Sequence, residues 1–425
     1  MKPQSMTHKI LARATGRASV TTGEIIEARI DRCFAHDPVV EQLRRLFYEE
    51  FGADAKVWDP DRIVLIEDHL VPAKDSASRR MLMAMPKFAR EQGITRYYPY
   101  GANYGISHIL MCEQGYARPG EIVIGPDSHS VTYGAFNTFG TGVGLIDLLN
   151  VLRTGTLWFR VPEVILVRID GRLPEGVQGK DIMLRLIGDI GMDGASGKTL
   201  EFRGSTIDAM SVDERMTLCN MVVEAGAKNG IMELSPAAHT YLAARVPELP
   251  QPVSTDEGFE YSQVITYRAE ELVPMVALPH SPANVKRLDE VRGRRIKVNH
   301  VYVGSCTGAK YEDLETVARE LAGRRISPEL HLMVVPASMS IYRKALESGV
   351  IGTLIDAGAV VESPGCKACY GAHGGVLGDD EVCLSTMNRN FRGRMGNPRS
   401  FIYLSSPYVA ARSALAGYIT DGAHE

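Results

Sequence analysis

Three cysteines constrain what this chain can fold into more than any other feature. Cys306 stands alone in the segment Gly-Ser-Cys-Thr-Gly, and Cys366 and Cys369 follow about 60 residues later as Cys-Lys-Ala-Cys. Three thiolates are one short of a closed four-ligand site, so a metal or cluster that they hold keeps one coordination position open. An open position is where Lewis-acid chemistry takes place. The fold is therefore expected to bring two distant loops together.

The spacing of these cysteines leaves three kinds of site open: an iron–sulfur cluster, a zinc site and a thiol–disulfide pair. Structural zinc usually takes two close cysteine pairs, whereas Cys306 is single and distant. A histidine such as His300 or His373 would have to complete a zinc site. No thioredoxin-like pattern surrounds Cys366, which weakens the redox alternative. The spacing therefore favours a cluster, with zinc as the main alternative.

The composition is typical of a globular protein in a reducing compartment. The chain has 425 residues, a formal net charge of −4 and an odd number of cysteines, seven. Its first residues lack the apolar stretch of a secretory signal, and no apolar run approaches the ~20 residues of a membrane span. The net charge gives no reason to expect nucleic-acid binding. We therefore expect a cytoplasmic protein with no membrane or nucleic-acid partner.

Helical patterns alternate with short β-branched runs almost throughout, which predicts an α/β fold with largely parallel sheets. A helix is predicted from Ser78 to Gln92, with Pro86 either kinking it or marking its true start. Residues Val246–Arg268 are rich in proline, serine and acidic side chains, so we expect a surface connection near a domain boundary. The glycine run Gly140-Thr-Gly142-Val-Gly144 has the wrong spacing for a dinucleotide loop. With no strand predicted directly ahead of it, it indicates tight packing at a helix start.

Polar motifs fall just past the carboxyl ends of predicted strands. Four strands run into such a motif: Arg62–Ile66 into Glu67-Asp68-His69, Glu121–Ile124 into Gly125-Pro-Asp127-Ser128-His129, Val298–Val303 into Ser305-Cys306-Thr307-Gly308, and Ala359–Glu362 into Ser363-Pro-Gly365-Cys366. Open α/β sheets place their ligand sites at this edge. Four such strand ends predict several domains that direct their functional edges towards one shared cleft.

Histidines beside carboxylates are candidates for acid–base chemistry. Asp68-His69 and Asp127-Ser-His129 each pair an imidazole with a carboxylate that can tune its pKa towards neutrality. His108, in Tyr-Gly-Ile-Ser-His, has the same status, although a lone histidine at such a position is more often a turn or core residue. Glu224 lies on an otherwise apolar helical stretch, where a carboxylate is costly unless it is paired or faces a polar cavity.

An arginine-rich motif, Asn388-Arg389-Asn390-Phe391-Arg392-Gly393-Arg394, is a candidate for substrate binding. Guanidinium groups held in place suit bidentate capture of carboxylates. Taken alone, the motif is most simply a basic, solvated loop. Together with a Lewis-acidic cluster and paired histidines and aspartates, it indicates a di- or tricarboxylate substrate.

With these motifs in this order, the chain resembles the aconitase superfamily, and within it the large subunits of 3-isopropylmalate dehydratase and homoaconitase. The resemblance extends from Lys9-Ile-Leu-Ala to Ser406-Pro. It rests on Pro-Asp127-Ser128-His129, Gly-Ser-Cys306-Thr, Pro-Gly-Cys366-x-x-Cys369 and Asn388-Arg389-Asn390-Phe391-x-Gly393-Arg394.

The resemblance implies three α/β/α domains with mostly parallel sheets around a central cluster cleft, at residues 1–160, 161–285 and 286–425. The first would carry both histidine–aspartate motifs, the second Glu224, and the third the cysteines and arginines. The family's further swivelling domain would be absent, because only a helix and a short tail follow Tyr403-Leu-Ser-Ser-Pro. In the dehydratase branch that domain is a separate small protein. The resemblance therefore implies a small-subunit partner, without which this chain is expected to be inactive.

The resemblance also implies one [4Fe–4S] cluster per chain, held by Cys306, Cys366 and Cys369, with its fourth iron open to a hydroxy-carboxylate substrate. His69, backed by Asp68, would protonate the departing hydroxyl. The remaining roles carried over by motif are these: Asp127, His129, His108 and Glu224 would line the iron-bound water and hydroxyl; Arg389, Arg394 and Ser128 would bind the substrate; Asn220, Asn388 and Asn390 would lie beside the cluster.

The function implied is that of a hydro-lyase, with 3-isopropylmalate, isomerised in leucine biosynthesis, as the leading substrate. Homoaconitase and methyl- or dimethylmalate dehydratase are the alternatives within the class, and a non-enzymatic zinc- or cluster-binding regulator is the alternative outside it. Three positions depart from the family's usual residues: Gly308 replaces Asn, Ser107 replaces Cys, and Lys367-Ala368 replaces Gly-Pro. They bear on which substituted malate is bound.

Overall fold

The computed structural model describes residues 2–422 and divides into two compact units. Of the described residues, unit 1 comprises 2–100, 110–170 and 195–267. Unit 2 comprises 101–109, 171–194 and 268–422. The three-domain boundaries stay a prediction, although the three larger sheets draw their strands from residues 32–142, 164–268 and 275–404 in turn.

Helices occur along the whole chain, and most begin at a residue whose side chain or proline suits a helix start. The helices are α1 (Met6–Thr15), α2 (Asp37–Phe51), α3 (Ser76–Gln92), α4 (Ser107–Glu113), α5 (Leu145–Thr154), α6 (Gly179–Ile190), α7 (Ser205–Ala209), α8 (Val212–Met221), α9 (Pro236–Ala243), α10 (Leu288–Val291), α11 (Ser305–Gly308), α12 (Tyr311–Leu321), α13 (Met339–Glu347), α14 (Val350–Asp356) and α15 (Pro407–Ala416). Shorter 3₁₀ turns include Ser128–Phe136, Val222–Ala225 and Lys367–Tyr370.

Strands alternate with these helices. They are β1 (Ile25–Arg29), β2 (Arg32–His36), β3 (Ile63–Ile66), β4 (Tyr97–Tyr98), β5 (Ile122–Gly125), β6 (Phe139–Gly142), β7 (Thr156–Arg160), β8 (Val164–Asp170), β9 (Thr199–Arg203), β10 (Asn229–Met232), β11 (Gln263–Arg268), β12 (Met275–Ala277), β13 (Val285–Arg287), β14 (His300–Val303), β15 (His331–Val334), β16 (Val360–Val361), β17 (Val382–Ser385) and β18 (Phe401–Leu404).

Unit 1 contains a five-stranded sheet in the order β4-β3-β2-β5-β6, in which all neighbours pair in parallel. A four-stranded sheet has the order β10-β9-β8-β11, with β10, β9 and β8 parallel. β1 and β7 form an antiparallel ribbon. Residues of α1, α2, α3 and α5 pack with the five-stranded sheet into one apolar core. Strands buried on both faces read as continuous apolar runs, as β3 and β5 do.

Unit 2 contains a seven-stranded sheet in the order β13-β12-β18-β17-β14-β15-β16. The five strands from β18 to β16 are parallel, and β12 and β13 add an antiparallel margin. The predicted α/β class with mostly parallel sheets is therefore confirmed. Within residues 2–422, no helix combines the length and apolar character needed to cross a membrane.

Helix α3 runs from Ser76 to Gln92 without interruption, so the alternative that Pro86 marks its start is wrong. The helix begins earlier because Asp75 accepts hydrogen bonds from the amide and hydroxyl of Ser78, at 2.7 and 2.8 Å. It ends at Gly93, whose φ of 70° suits glycine. The caps at both ends outweigh the one backbone hydrogen bond that a proline removes.

Two other expectations need correction. The segment predicted as a surface connection, Val246–Arg268, ends in strand β11, which lies at the edge of the four-stranded sheet. An edge strand can be largely exposed, so its polar composition resembles that of a loop. The glycine run also has a strand after all, because Gly140 and Gly142 belong to β6.

The glycines of β6 are required by close packing against the 3₁₀ turn Ser128–Phe136. A Cβ atom at Gly142 would lie 2.7 Å from the carbonyl oxygen of Asp127 and 2.8 Å from the Cα of Ser128. Both are backbone atoms, which cannot move aside without displacing the turn. The glycine at 142 therefore fixes where Asp127 and Ser128 lie at the sheet edge.

We expect Gly142→Ala to lower the free energy of unfolding by about 1–3 kcal/mol, because the added methyl group overpacks a backbone contact. Gly352→Ala is the matched control, since a Cβ there meets nothing within 4 Å and Gly352 lies in helix α14. That control should be neutral or stabilise the protein by about 0.5–1 kcal/mol. Urea denaturation measures both changes, and equal stabilities for the two variants would contradict the packing argument.

Candidate active site

A buried carboxylate at the end of β2 holds the loop that carries Asp68 and His69. The amide N–H groups of Asp68, His69 and Leu70 donate to the Asp37 carboxylate at 2.9, 3.0 and 2.6 Å. Burial and the nearby charge of Asp68 raise the pKa of Asp37 to about 7. Because β2 and β3 are adjacent and parallel, the first residue of α2 reaches the loop after β3. Asp37 thus fixes the backbone on which His69 stands.

His69 is surrounded by carboxylates. Its Nδ1 lies 2.6 Å from Oδ1 of Asp68, and its Nε2 lies 3.7 Å from Oδ2 of Asp127. Burial alone would lower the pKa of His69, but the charge of Asp68, with contributions from Asp127 and Asp37, raises it well above its ordinary value. The raised pKa favours the imidazolium form of His69, which is the form that a general acid needs. The His36 ring stacks on it at a centroid distance of 4.4 Å.

A second histidine–carboxylate pair lies in the same unit. Asp127 precedes the 3₁₀ turn Ser128–Phe136, and its Oδ1 accepts the N–H of His129 at 2.8 Å. Nε2 of His129 lies 2.9 Å from Oε1 of Glu224, and both side chains are buried. Glu224 belongs to the 3₁₀ turn Val222–Ala225, which directly follows α8. The Glu224 carboxylate is therefore paired, which is one of the two ways in which the sequence analysis allowed a carboxylate on this apolar stretch.

Asn220 and Ser128 complete this part of unit 1. Asn220 is buried on α8, and its Nδ2 donates to the hydroxyl of Thr132 at 2.9 Å. Ser128 is half-buried at the start of its turn, where a ligand can reach it. These two residues and the histidine pairs above therefore all lie in unit 1.

By distance alone, four side chains of unit 1 could together hold one metal ion. Ligand atoms of His36, Asp37, Asp68 and His69 lie within 4.8 Å of one another, and all four side chains are buried. However, the Asp37 carboxylate is engaged with three backbone N–H groups, and Asp68 is engaged with His69. Hydrogen bonds and charge interactions within the protein therefore account for the closeness of these four side chains.

In unit 2, the three cysteines of the motif lie at the carboxyl edge of the seven-stranded sheet. Cys306 lies in α11, directly after β14; Cys366 directly precedes the 3₁₀ turn Lys367–Tyr370 that follows β16, and Cys369 lies within that turn. The amide of Cys369 donates to the carbonyl of Cys366 at 3.1 Å. Ser305 and Lys367 adopt φ values of 80° and 49°, in the left-handed region that glycine favours. Glycine would therefore be the less strained residue at the position where Lys367 stands.

The side chain of Asn388 connects the two cysteine loops. Its Nδ2 lies 3.7 Å from Sγ of Cys306 and donates to Oγ1 of Thr307 at 2.9 Å. Its Oδ1 lies 3.8 Å from Sγ of Cys369. Arg394 also approaches, with a guanidinium nitrogen 3.8 Å from the same sulfur. Thiols that are distant in sequence are therefore brought to one place in unit 2.

The separation of the thiols bears on what they can hold. A tetrahedral zinc ion places its thiolate ligands about 3.8 Å apart, given Zn–S bonds of about 2.3 Å. Within residues 2–422, the groups of three or more candidate ligand atoms that lie mutually within 4.8 Å include no cysteine. A four-iron cluster is wider than one ion and spreads its thiolates further apart. The donor set thus fits a multinuclear cluster better than a single zinc ion.

The other predicted site residues of unit 2 differ from one another in burial and in the contacts that they make. Arg389 and Arg394 are half-buried. His108 is buried at the start of α4, just after a segment that pairs Gly105 with Ser338. The Nδ2 of Asn390 donates to the carbonyls of Leu278 and Ile402, at 2.8 and 3.2 Å. Within the described residues its buried Oδ1 has no hydrogen-bond partner, and the place of Asn390 beside a cluster stays a prediction.

A comparison with protein families decides the relationship. The family described as "Aconitase family (aconitate hydratase)" matches residues 8–417 of this chain. The chain belongs to the aconitase family. The resemblance predicted from the motifs is therefore confirmed, and the chain is a hydro-lyase by class.

Curated members of the aconitase family match over nearly the whole chain. The probable methanogen homoaconitase large subunit of Methanothermobacter thermautotrophicus is 45% identical over 423 residues, covering 99% of this chain and 98% of that protein. The 3-isopropylmalate dehydratase large subunit of Heliobacterium modesticaldum is 44% identical over 415 residues, covering 98% of each. Among solved structures, Thermococcus kodakaraensis aconitase X (holo-form) has a TM-score of 0.50 at 10% identity, covering 93% of this chain and 87% of that one. That likeness shows the fold.

The raised pKa of Asp37 predicts how stability depends on pH in this aconitase-family chain. Its folded-state pKa of about 7 exceeds the ordinary value of 3.8, so its contribution is fully present at low pH and is lost as pH rises towards 7. We expect Asp37→Asn to remove this loss. The difference in free energy of unfolding between variant and wild type should therefore shift in favour of the variant between about pH 4 and about pH 7.

Urea denaturation at several pH values measures this shift. Asp54→Asn is the matched control, because Asp54 is exposed and its removal should leave the pH profile unchanged. Parallel profiles for Asp37→Asn and wild type would show that the Asp37 carboxyl does not titrate abnormally in the folded protein.

Proposed function

We propose that this chain is the cluster-binding large subunit of a dehydratase that removes and adds water on a hydroxy di- or tricarboxylate, with 3-isopropylmalate as the leading substrate. The observation that carries the proposal is the contact of one side chain, Asn388, with both Cys306 and Cys369. It is supported by relatives named as large subunits of 3-isopropylmalate dehydratase and homoaconitase.

Cys306, Cys366 and Cys369 are proposed to hold one [4Fe–4S] cluster per chain. When bound, such a cluster supplies an iron that polarises the C–OH bond of the substrate as a Lewis acid. Asn388, which touches two of the thiols, would orient them. Because cluster thiolates require reduced cysteines, we propose a cytoplasmic location.

His69 is proposed to give its proton to the hydroxyl that leaves. Asp68 accepts a hydrogen bond from Nδ1 of His69, so the Nε2 proton is the one available for transfer. The raised pKa of His69 keeps that proton in place until a basic oxygen develops nearby. After transfer, the neutral imidazole remains hydrogen-bonded to Asp68 and is ready to take a proton back from water in the reverse reaction.

The pair of His129 and Glu224, with Asp127, is proposed to bind the water or hydroxyl that leaves and returns. Nε2 of His129 and Oε1 of Glu224 lie 2.9 Å apart and both side chains are buried, so the pair could donate a hydrogen bond to, or accept one from, an oxygen placed beside it. Ser128, which is half-buried at the start of the turn after Asp127, is proposed to bind the substrate. His108 is proposed to assist this group, and Asn220 to support the turn through Thr132.

Arg389 and Arg394 are proposed to bind the substrate's carboxylates through guanidinium groups that are half-buried and therefore limited in motion. A small subunit is proposed as the partner that completes the site and removes the C–H proton, since relatives over 98–99% of this chain are named large subunits. Homoaconitase is the second candidate, on the strength of the 45% identical relative.

The cluster can be tested on the isolated chain. After anaerobic reconstitution with iron and sulfide, we expect about four of each per chain and a broad absorbance near ~400 nm. Cys306→Ala should lose most of the iron, because two thiolates do not retain a cluster. Cys383→Ala is the matched control, since Cys383 is fully buried in β17 of the same unit and takes no part in the proposed site. One zinc per chain instead of iron would favour a non-enzymatic regulator.

Activity can be tested by co-expressing the small subunit and assaying hydration and dehydration on 3-isopropylmalate, homocitrate, and methyl- and dimethylmalate. We expect turnover with the small subunit and none without it. His69→Gln should lower kcat by about 10²–10⁴-fold while iron content stays unchanged, because a general acid is lost but no cluster ligand. A loaded, assembled complex that is inactive on every substrate of the panel would reject the proposed function.

A further inference from the structure

Three lysine side chains are buried near the cysteine loops of unit 2: Lys180, Lys310 and Lys367. Lys310 donates to the carbonyl of Thr307 and lies 2.8 Å from Oδ2 of Asp313. A buried ammonium group is costly unless its charge is compensated. For Lys310, the Asp313 carboxylate provides this compensation.

Lys367 is compensated in the same way. Its ammonium lies 3.2 Å from Oε2 of Glu362 and 3.1 Å from the hydroxyl of Ser363. Two of the three buried cations thus have a carboxylate within ion-pair distance.

Lys180 differs from both. It is 2% exposed on α6, and its ammonium donates to the carbonyls of Thr386 and Met387. Across residues 2–422, no carboxylate forms an ion pair with it. Burial accordingly lowers the pKa of Lys180 to about 7, against the opposing charges of Asp313 and Cys369. This cation therefore needs negative charge from another source.

The carbonyls that bind Lys180 lie at the junction of the cysteine loops. Thr386 and Met387 directly precede Asn388, which touches Cys306 and Cys369. The hydroxyl of Thr386 also accepts the N–H of Gly304 at 3.1 Å and donates to the carbonyl of Gly308 at 2.9 Å, on either side of Cys306. One buried ammonium is thus bonded to the segment that ties both thiol loops together.

We propose that Lys180 is a positioning residue for the cluster, holding the segment before Asn388 and supplying the positive charge that offsets the thiolates. The inference rests on the proposed function, because it requires that the thiols bind a cluster. Three thiolates around such a cluster leave it with net negative charge, and one-electron reduction adds another. A nearby fixed cation stabilises the reduced form more than the oxidised form, so it raises the reduction potential.

Reconstituted full-length protein can be titrated with dithionite while the reduced cluster is followed by electron paramagnetic resonance. We expect Lys180→Gln and Lys180→Met to lower the equilibrium constant for one-electron reduction about tenfold, a shift of about 59 mV. Loss of iron to EDTA should also be several-fold faster, because Asn388 is less firmly held. Lys180→Arg, which keeps the charge, should stay close to wild type.

Two controls separate charge from general damage. Lys297→Met removes an exposed lysine of the same unit and should change nothing. The double variant Lys310→Met, Asp313→Asn removes a buried ion pair without changing the net charge, so its effect on the potential should be smaller than that of Lys180→Met. Thermal unfolding of the unloaded variants reports any purely structural cost.

The outcomes are distinguishable. Wild-type protein that takes up no iron or sulfide would reject the proposed function and this inference with it. Loaded Lys180→Gln with the wild-type potential, even if it unfolds at a lower temperature, would reject the inference alone and leave Lys180 a structural residue. If both neutral variants fail to fold, Lys180→Arg decides: a wild-type potential supports the charge role, and a tenfold change in the equilibrium constant overturns it.

Discussion

Parallel strand pairing is the constraint on which the rest of the structure depends. In unit 1 it places the ends of β2, β3, β5 and β6 at one edge, so Asp37, the Asp68-His69 loop and the turn after Asp127 become neighbours. In unit 2 it does the same for the ends of β14, β16 and β17. Residues far apart in the chain meet because these strands share a direction, and the helices between them return the chain to the opposite edge.

Much of this arrangement could be predicted from the sequence, because the signals were local. β-branched runs marked the central strands, and each polar motif followed one directly, which is what β3, β5, β14 and β16 show. The cysteine spacing favoured a cluster over a zinc site or a thiol–disulfide pair, and the cluster itself stays a prediction. The predicted end of helix α3 at Gln92 was also correct, and its predicted start at Ser78 was two residues late.

What could not be predicted were the contacts made by residues without a distinctive pattern. Asp37 follows a strand as Asp68 does, but its task depends on three amide groups from a loop about 30 residues away. Asn388 was expected near the cysteines through the family resemblance, yet its contact with both loops comes from tertiary structure. Lys180 carried no signal, since a lysine in a helical pattern is ordinarily exposed. The prediction for strand β11 was wrong for a similar reason, because an exposed edge strand has the polar composition of a loop.

The discontinuous make-up of unit 2 has a consequence for the protein's synthesis. Lys180 leaves the ribosome about 206 residues before the carbonyls that bury its ammonium group. At a translation rate of about 5–20 residues per second, β17 and the segment after it are synthesised roughly 10–40 s after α6. During that interval the lysine remains hydrated and charged. The cysteine loops therefore reach their final arrangement only after residues 386–388 have been synthesised, which sets the earliest moment at which a cofactor-delivery system could act.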